Sequence, residues 1–546
     1  MSQTALYVII AAMFLRAAPA QADVTLDGKS ATPEAIAAIA QGQPVKIAPE
    51  AFKRIEQAHR VLLQAAAEGQ TIYGLTVGVG LNKDRAMVDA QGKLTEEVIE
   101  ASRRFQVGLI RAHSGSVGPE MDVRTVRATM AARLNTMLVG GAGVQPEVID
   151  AYVQFLNRGI APVIPTGGSL GEADITIISH VGLAMLGEGE VYYKGQKTSA
   201  AKALQAAGVK PVKLFGKDAL AILSSNAYSA GLAALALNDL SHLITVNKLV
   251  YALSLQAING NVSPFLEDTL ALRPFPQTVR AGAELRELLS GSSLWNQDAT
   301  RRLQDPLSFR DSVYVLGEVT RTYDEARGLL NIQLNSSDDN PGVAVNVTPK
   351  SQRWQEKKSY VAADTAGAVL PSANFEPLPW VLAFEQLGIA LAHNSLTSAQ
   401  RIIKLDDPNI TGLERYLGTE KTVHAFGAME KPVVALALEN KVLATPVSTE
   451  FLPVAGGIED IATNAPEVVK RVQKQIDNSY ALLGIESIHS AQAIDLRRAS
   501  RKEFTLAPAT TKLYGAVRRK VAFLDEDRPL TPDFRAAAEV LRNYHD

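Results

Sequence analysis

The chain has 546 residues, with 55 Lys and Arg against 57 Asp and Glu, eight His and no Cys. An apolar fraction of 47% with 21% charged residues is globular composition and excludes an intrinsically disordered chain. A net charge of −2 leaves no basic footprint for nucleic acid, and the lack of Cys excludes disulfides, thiolate nucleophiles, iron–sulfur clusters and Cys-based zinc sites.

At the N-terminus an apolar run from Ala5 to Leu15 precedes Ala18-Pro-Ala-Gln-Ala22, whose Ala20-x-Ala22 ending suits a signal peptidase. No Lys or Arg precedes the run, and Arg16 follows it. Residues 1–22 read as a signal peptide and 23–546 as one mature domain, which predicts a periplasmic protein. An over-extended start, with Met13 or a later residue as the true beginning, would instead leave it cytoplasmic. Further on, Ala219 to Asn238 carries no charge and is long enough to span a bilayer. Its Ser224-Ser225-Asn226 and its many Ala and Gly predict a buried core helix instead, so no membrane partner is expected.

Apolar residues at three- and four-residue intervals predict helices over Asn226–Ile258, Ser312–Leu334, Pro379–Lys404 and Pro432–Leu443. Their polar faces are thin, as in helices packed on several sides within a bundle and buried further in an oligomer. Strand signals are short, Glu190–Tyr193 being one. The fold class is mainly α.

The unusual residues fall between these helices. Thr71-Ile-Tyr-Gly-Leu-Thr-Val-Gly-Val-Gly80 sets Tyr73 among glycines that allow positive φ and close approach to a ligand. Pro165-Thr-Gly-Gly-Ser-Leu-Gly-Glu-Ala-Asp174 is a second glycine-rich turn, leading into an apolar segment with His180. Neither contains the Gly-Lys-Ser/Thr of a phosphate loop. Two more motifs follow, Gln304-Asp-Pro-Leu-Ser-Phe-Arg310 and Leu334-Asn-Ser-Ser-Asp-Asp-Asn-Pro341. Singly, each reads as a turn with satisfied polar side chains. The eight His are scattered without ligand spacing, so no metal is expected.

Taken in order, these motifs, with Asn374-Phe375 before a Pro and Glu439-Asn440-Lys441, resemble the histidine/phenylalanine ammonia-lyase family of aromatic amino acid lyases. The resemblance runs from about Asp23 past Glu459. It implies an ammonia-lyase-type elongated central helical bundle with a smaller, loop-rich N-terminal region. It also implies a homotetramer whose active sites draw on three subunits. Such enzymes remove an amino group and a β-proton from a small-molecule amino acid, leaving an α,β-unsaturated acid.

The family's electrophile is a methylidene-imidazolone ring built from an internal Ala-Ser-Gly. Here the segment reads Gly171-Glu172-Ala173-Asp174, one residue short and without Ser-Gly. The family's Asn beside the ring falls on Ser224, and the Tyr of its Gln-Asp-Pro-Tyr motif falls on Leu307. Three ring-serving positions have changed together, so no cofactor is expected.

Other family positions survive. The resemblance makes Tyr73 the general base, a phenol whose pKa must be lowered to take a weakly acidic β-proton. It makes Arg310 the fork that holds the substrate carboxylate, and Phe375 a wall of the ring pocket. His113 and Glu459 match the positions where histidine-specific members recognise imidazole; a carboxylate facing a benzene ring would be buried unpaired. The bland readings are a core histidine for His113 and a helix-end acid paired with Lys for Glu459. Glu376 stands where histidine-specific members often have His. Lys83, in Asn82-Lys83-Asp84, reads as a catalytic aid to the carboxylate or as a solvated loop lysine; Lys431 is read the same way.

Without the ring a primary amine leaves poorly, whereas a trimethylammonium departs as a neutral amine needing no proton. The sequence is similar in this respect to the ring-less ergothionase branch, which implies a betaine such as ergothioneine or hercynine as substrate. A quaternary cation needs an aromatic or acidic wall, for which Tyr73, Glu172 and Glu376 are candidates. The rivals are an ammonia-lyase for histidine with another mode of activation, and an inactive periplasmic binding homologue.

Overall fold

The computed structural model describes residues 23–78, 96–361, 366–501 and 503–545. The signal-peptide reading and the assignment of Lys83 lie outside the described residues.

Eleven helices frame the site. They are α1 (Glu96–His113), α2 (Val123–Thr136), α3 (Ile175–Met185), α4 (Asp218–Leu223), α5 (Ala227–Ala257), α6 (Leu307–Arg310), α7 (Ser312–Leu334), α8 (Leu378–Leu405), α9 (Glu430–Leu443), α10 (Ala465–Ser500) and α11 (Thr531–Arg542). The long ones form the bundle: α10 lies along α5, α8 and α11, α8 also along α7, and α2 along α5. Proline in the first turn starts α8 (Pro379), α10 (Pro466) and α11 (Pro532), where a missing N–H costs nothing.

The four expected helices are present with ends shifted by at most two residues. The uncharged run from Ala219 to Asn238 is not one helix: the backbone leaves helical geometry at Ser224 (φ −90°, ψ 83°), separating α4 from α5. Both pieces are buried, as a core helix requires. The longest helix, α10, went unpredicted for a physical reason. It buries Gln475, Asn478, Ser479, Glu486, Ser487, His489, Ser490 and Gln492, which blur any apolar period.

Among the described residues, sheet is confined to short pieces outside the bundle. Glu190–Tyr193 is a strand as expected, antiparallel to Gln196–Ser199 and Ile160–Pro162. The pair that matters for the site joins Val117–Glu120 to Pro165–Gly167, with Val117 opposite Gly167, and fixes where the following turn begins.

Candidate active site

The Gly168–Asp174 turn is the centre of the site. Gly171 has φ +88°, and a Cβ there would stand 2.7 Å from the Ala465 nitrogen at the start of α10, so only glycine fits. Asn464 N–H donates to the Leu170 carbonyl at 2.7 Å and pins the turn to the same helix. Ala173 then takes φ +58°, a conformation L-residues disfavour, and its N–H donates to Asn226 Oδ1 at 3.2 Å. The Asn226 amide in turn donates to the Phe375 carbonyl. Asp174 is an anchor: fully buried, it accepts from Ser169 Oγ and from the Ser229 N–H (2.8 Å) and Oγ (2.9 Å). Burial pushes its carboxyl up to about 6 against these donors.

Glu172 points elsewhere, into a cavity of about 220 Å³ shared with His113, Gly168, Leu170, Ala173, Phe451, Glu459 and Ile461. Its carboxyl contacts that of Glu376. Burial first, then the charge and contact of Glu376, then the charge of Glu459, push it up to about 8. Glu376 Oε1 also accepts from the Leu378 N–H at 2.9 Å, at the N-terminus of α8, where the helix dipole favours an anion. His113 ends α1, and its Nδ1 lies 2.8 Å from the Leu109 carbonyl. A carbonyl can only accept, so Nδ1 carries a proton, which in the neutral ring leaves Nε2 as an acceptor. Glu459 sits half-buried on a loop closed by the Val454–Glu459 bridge.

Tyr73 is half-buried against the core beside α4. Gly74 has φ +77°, and a Cβ on it would meet Leu220 Cδ2 at 2.5 Å. Gln106 clamps the two segments, donating to the Gly74 carbonyl (3.2 Å) and accepting from the Ala219 N–H (2.8 Å).

Arg310 closes the one-turn helix α6 and is held by a separate buried frame. Tyr251 Oη donates to the Phe309 carbonyl at 2.8 Å, and Arg401 donates to Ser312 Oγ at 2.9 Å while forking onto Glu486 at 2.6 and 2.8 Å. The Arg310 Nε is buried without a hydrogen-bond partner, so the guanidinium has bonding capacity to spare.

The structure thus brings together His113, Gly171, Glu172, Ala173, Phe375, Glu376 and Glu459. It does not bring Arg310 or Leu307 to that cavity within one chain; Leu307 is 59% exposed. Ser224 only ends α4, and Asn226, two residues on, makes the contacts to the turn. Lys431 is exposed in the first turn of α9, and the Glu439-Asn440-Lys441 motif is structural: Asn440 is buried and donates to Ser395 Oγ at 2.6 Å. Larger cavities of about 820 and 790 Å³ lie elsewhere on the bundle and contain none of these side chains.

Sequence reasoning missed the frame beneath the turn. Arg133 on α2 is 0% exposed and donates to the Ala221 carbonyl, Thr136 Oγ1, Asp338 Oδ1 (3.1 Å) and Asp339 Oδ1 (2.7 Å). Asp338 Oδ2 then accepts from Ser225 Oγ (2.9 Å) and the Asn226 N–H (2.8 Å). The adjacent acids in Asn335-Ser-Ser-Asp-Asp-Asn-Pro341 were a signal that a buried cation must exist, but not which one.

The chain was compared with known proteins. Residues 31–519 match the family model described as aromatic amino acid lyase. The chain is 32% identical to histidine ammonia-lyase of Chloroflexus aurantiacus over 528 residues, 95% of this chain and 96% of that protein. Among solved structures it is similar to ergothionase from Treponema denticola, in complex with desmethyl-ergothioneine sulfonic acid. The TM-score is 0.84 at 36% identity, covering 95% of this chain and 99% of that one. Histidine ammonia-lyase from Trypanosoma cruzi matches with a TM-score of 0.82 at 25% identity, covering 95% and 93%. A family model matched over residues 31–519 and relatives matched in sequence and fold over nearly the whole length leave one conclusion: the chain belongs to the aromatic amino acid lyase family and is a carbon–nitrogen lyase.

Proposed function

We propose that this lyase forms no imidazolone ring and eliminates trimethylamine from a histidine-derived betaine such as ergothioneine or hercynine, giving a urocanate-type acid. One observation carries the reading: Glu172-Ala173 stands where the family builds its ring from Ser-Gly. The residues present do not fit that group. No serine precedes the closing position, Ala173 bears a Cβ, and its nitrogen is engaged by Asn226. In place of an electrophile the turn presents carboxyl groups, which favour a cationic leaving group. The similarity to ergothionase, which extends over 99% of that chain, supports the same reading.

In this scheme His113 Nε2 and Glu459 receive the ring N–H groups, Tyr73 takes the β-proton, and the amine leaves toward Glu172 and Glu376. Arg310 forks onto the carboxylate from a neighbouring copy. Apolar residues left exposed on α8 (Leu382, Ile389, Leu396) and α9 (Val434, Leu438, Val442) support a multi-copy assembly, for which a homotetramer is our proposal. The apolar leader at residues 5–15 supports a periplasmic location.

A second reading, ammonia release from histidine, is favoured by the curated relatives, which are named histidine ammonia-lyases. Incubating the purified protein with histidine, hercynine and ergothioneine separates the two. Free trimethylamine with urocanate-type absorbance supports the first, and ammonia from histidine the second. The intact mass is expected to equal the mature chain; a deficit of two waters within residues 168–174 would establish the ring and end the first reading.

Ring selection has its own test. Glu459→Gln is expected to lower kcat/KM for an imidazole-type betaine roughly tenfold or more, because the charged acceptor for a ring N–H becomes a neutral amide. A phenylalanine-derived betaine offers no ring N–H, so its loss should be far smaller. Equal losses on the two substrates would give Glu459 a structural role instead.

A further inference from the structure

We propose that Glu172 and Glu376 form a proton-sharing carboxyl pair that seats the departing ammonium group and then protonates the amine once the C–N bond has broken. The inference rests on the trimethylamine reading above and extends it to the fate of the leaving group.

The geometry makes the pair unequal. Glu376 Oε1 receives the Leu378 N–H at the N-terminus of a 28-residue helix, a setting that favours the anion. Glu172 takes a backbone N–H from Thr463, but its Oε1 is buried and lacks a hydrogen-bond partner. Beside it Thr463, 4% exposed, lies against Gly171 with an Oγ1 that is also unpartnered. Two carboxyls in contact in a partly dry cavity cannot both ionise without strong repulsion, so one proton stays between them, on Glu172. The pair then carries one negative charge and one proton. Burial and the neighbouring Glu376 push the Glu172 carboxyl up to about 8, which keeps that proton in place at neutral pH. Among the described residues, the other titratable groups facing it from the surrounding elements are Glu459 and His113.

The step balances. The Cα–N electron pair leaves with nitrogen, the Cβ–H pair becomes the C=C bond, and the base holds the β-proton. Free trimethylamine is a strong base; it takes the Glu172 proton and becomes trimethylammonium beside two carboxylates. Its lone pair is then blocked and cannot add back to the unsaturated acid. When the cation leaves, the pair recovers one proton from solvent and the base loses its own. The net products are the unsaturated carboxylate and trimethylammonium.

Tetramethylammonium chloride is the probe, since it mimics the cation, cannot accept a proton and needs no turnover. Titrated calorimetrically into the full-length wild-type protein, it should bind about tenfold more tightly at pH 9.5 than at pH 6.5, as the pair passes from one charge to two. Glu172→Gln keeps the shape and the Glu376 charge, so its binding should be flat with pH while kcat for the betaine falls. The double variant Glu172→Gln/Glu376→Gln should lose at least tenfold in affinity. A wild-type affinity that is flat between pH 6.5 and 9.5 overturns the proposal and involves no variant that might misfold. The two readings fail separately: a pH-dependent cation site without betaine turnover removes the substrate assignment, and betaine turnover with flat binding removes the pair.

Discussion

Tyr73→Phe is expected to abolish elimination while leaving substrate binding nearly unchanged. The substitution removes one oxygen from a half-buried ring whose backbone is fixed independently, by Gly74 against Leu220 and by Gln106 bridging to Ala219. The loop therefore keeps its place, and in the proposed scheme the carboxylate and ring ends of the substrate keep Arg310, His113 and Glu459. In that scheme what is lost is the acceptor of the β-proton, and general-base catalysis of this kind contributes roughly 10²- to 10⁴-fold. A fall of that size in kcat, with KM within about threefold, is the signature of an interaction made only in the transition state. Retention of most of the turnover would assign the proton to another group.

How far the site could be read beforehand depends on the kind of signal each residue carries. Glu172, His113, Phe375 with Glu376, and Glu459 come from four separate segments, and the family resemblance carried by the ordered motifs is what pointed to them, because each motif marks a fixed place in the bundle. Arg310 and Leu307 belong to equally clear motifs but stand on a different part of the chain's surface, away from that cavity. Asn226 carries no motif signal of its own: the family's Asn position falls on Ser224, while the hydrogen bonds to Ala173 and Phe375 come from two residues later. The helices show the same division. Ser312–Leu334 was legible to its ends because Val313, Leu316, Val319, Tyr323, Ala326, Leu330 and Leu334 keep helical spacing on its buried face despite the buried Ser312, Thr320, Thr322 and Gln333. Helix α10, the longest, was invisible because its buried face carries amides, hydroxyls and a carboxylate paired across the core with Arg401. Hydrophobic period reports burial only where burial is apolar.

Arg133 carries the largest stability effect expected outside the chemistry. It is fully buried, more than 200 residues in sequence from its two carboxylate partners, and it joins three pieces that meet only in the fold: α2, the end of α4 and the Asp338–Asp339 turn. Burial raises the Asp338 carboxyl despite Arg133, whereas the Arg133 and Lys217 charges outweigh burial at Asp339 and hold it below the usual range. Arg133→Met would leave two adjacent buried carboxyls with Lys217, 3.9 Å from Asp339, as the nearest cation. Breaking a buried ion pair on one side costs about 3–5 kcal/mol, and denaturant unfolding should register a loss of that order. Adding Asp338→Asn and Asp339→Asn to Arg133→Met should recover much of it, because neutral amides can keep the bonds to Ser225 and Asn226 without a stranded charge. The triple variant also tests how stability reaches the active turn. Asp338 fixes the Asn226 backbone, and Asn226 holds Ala173 in its strained conformation. If the charges matter only for stability, activity should return with the fold; if the frame must be rigid, the triple variant will fold and turn over slowly. A loss below about 1 kcal/mol in Arg133→Met would show that the surrounding helices, and not this ion network, hold the turn in place.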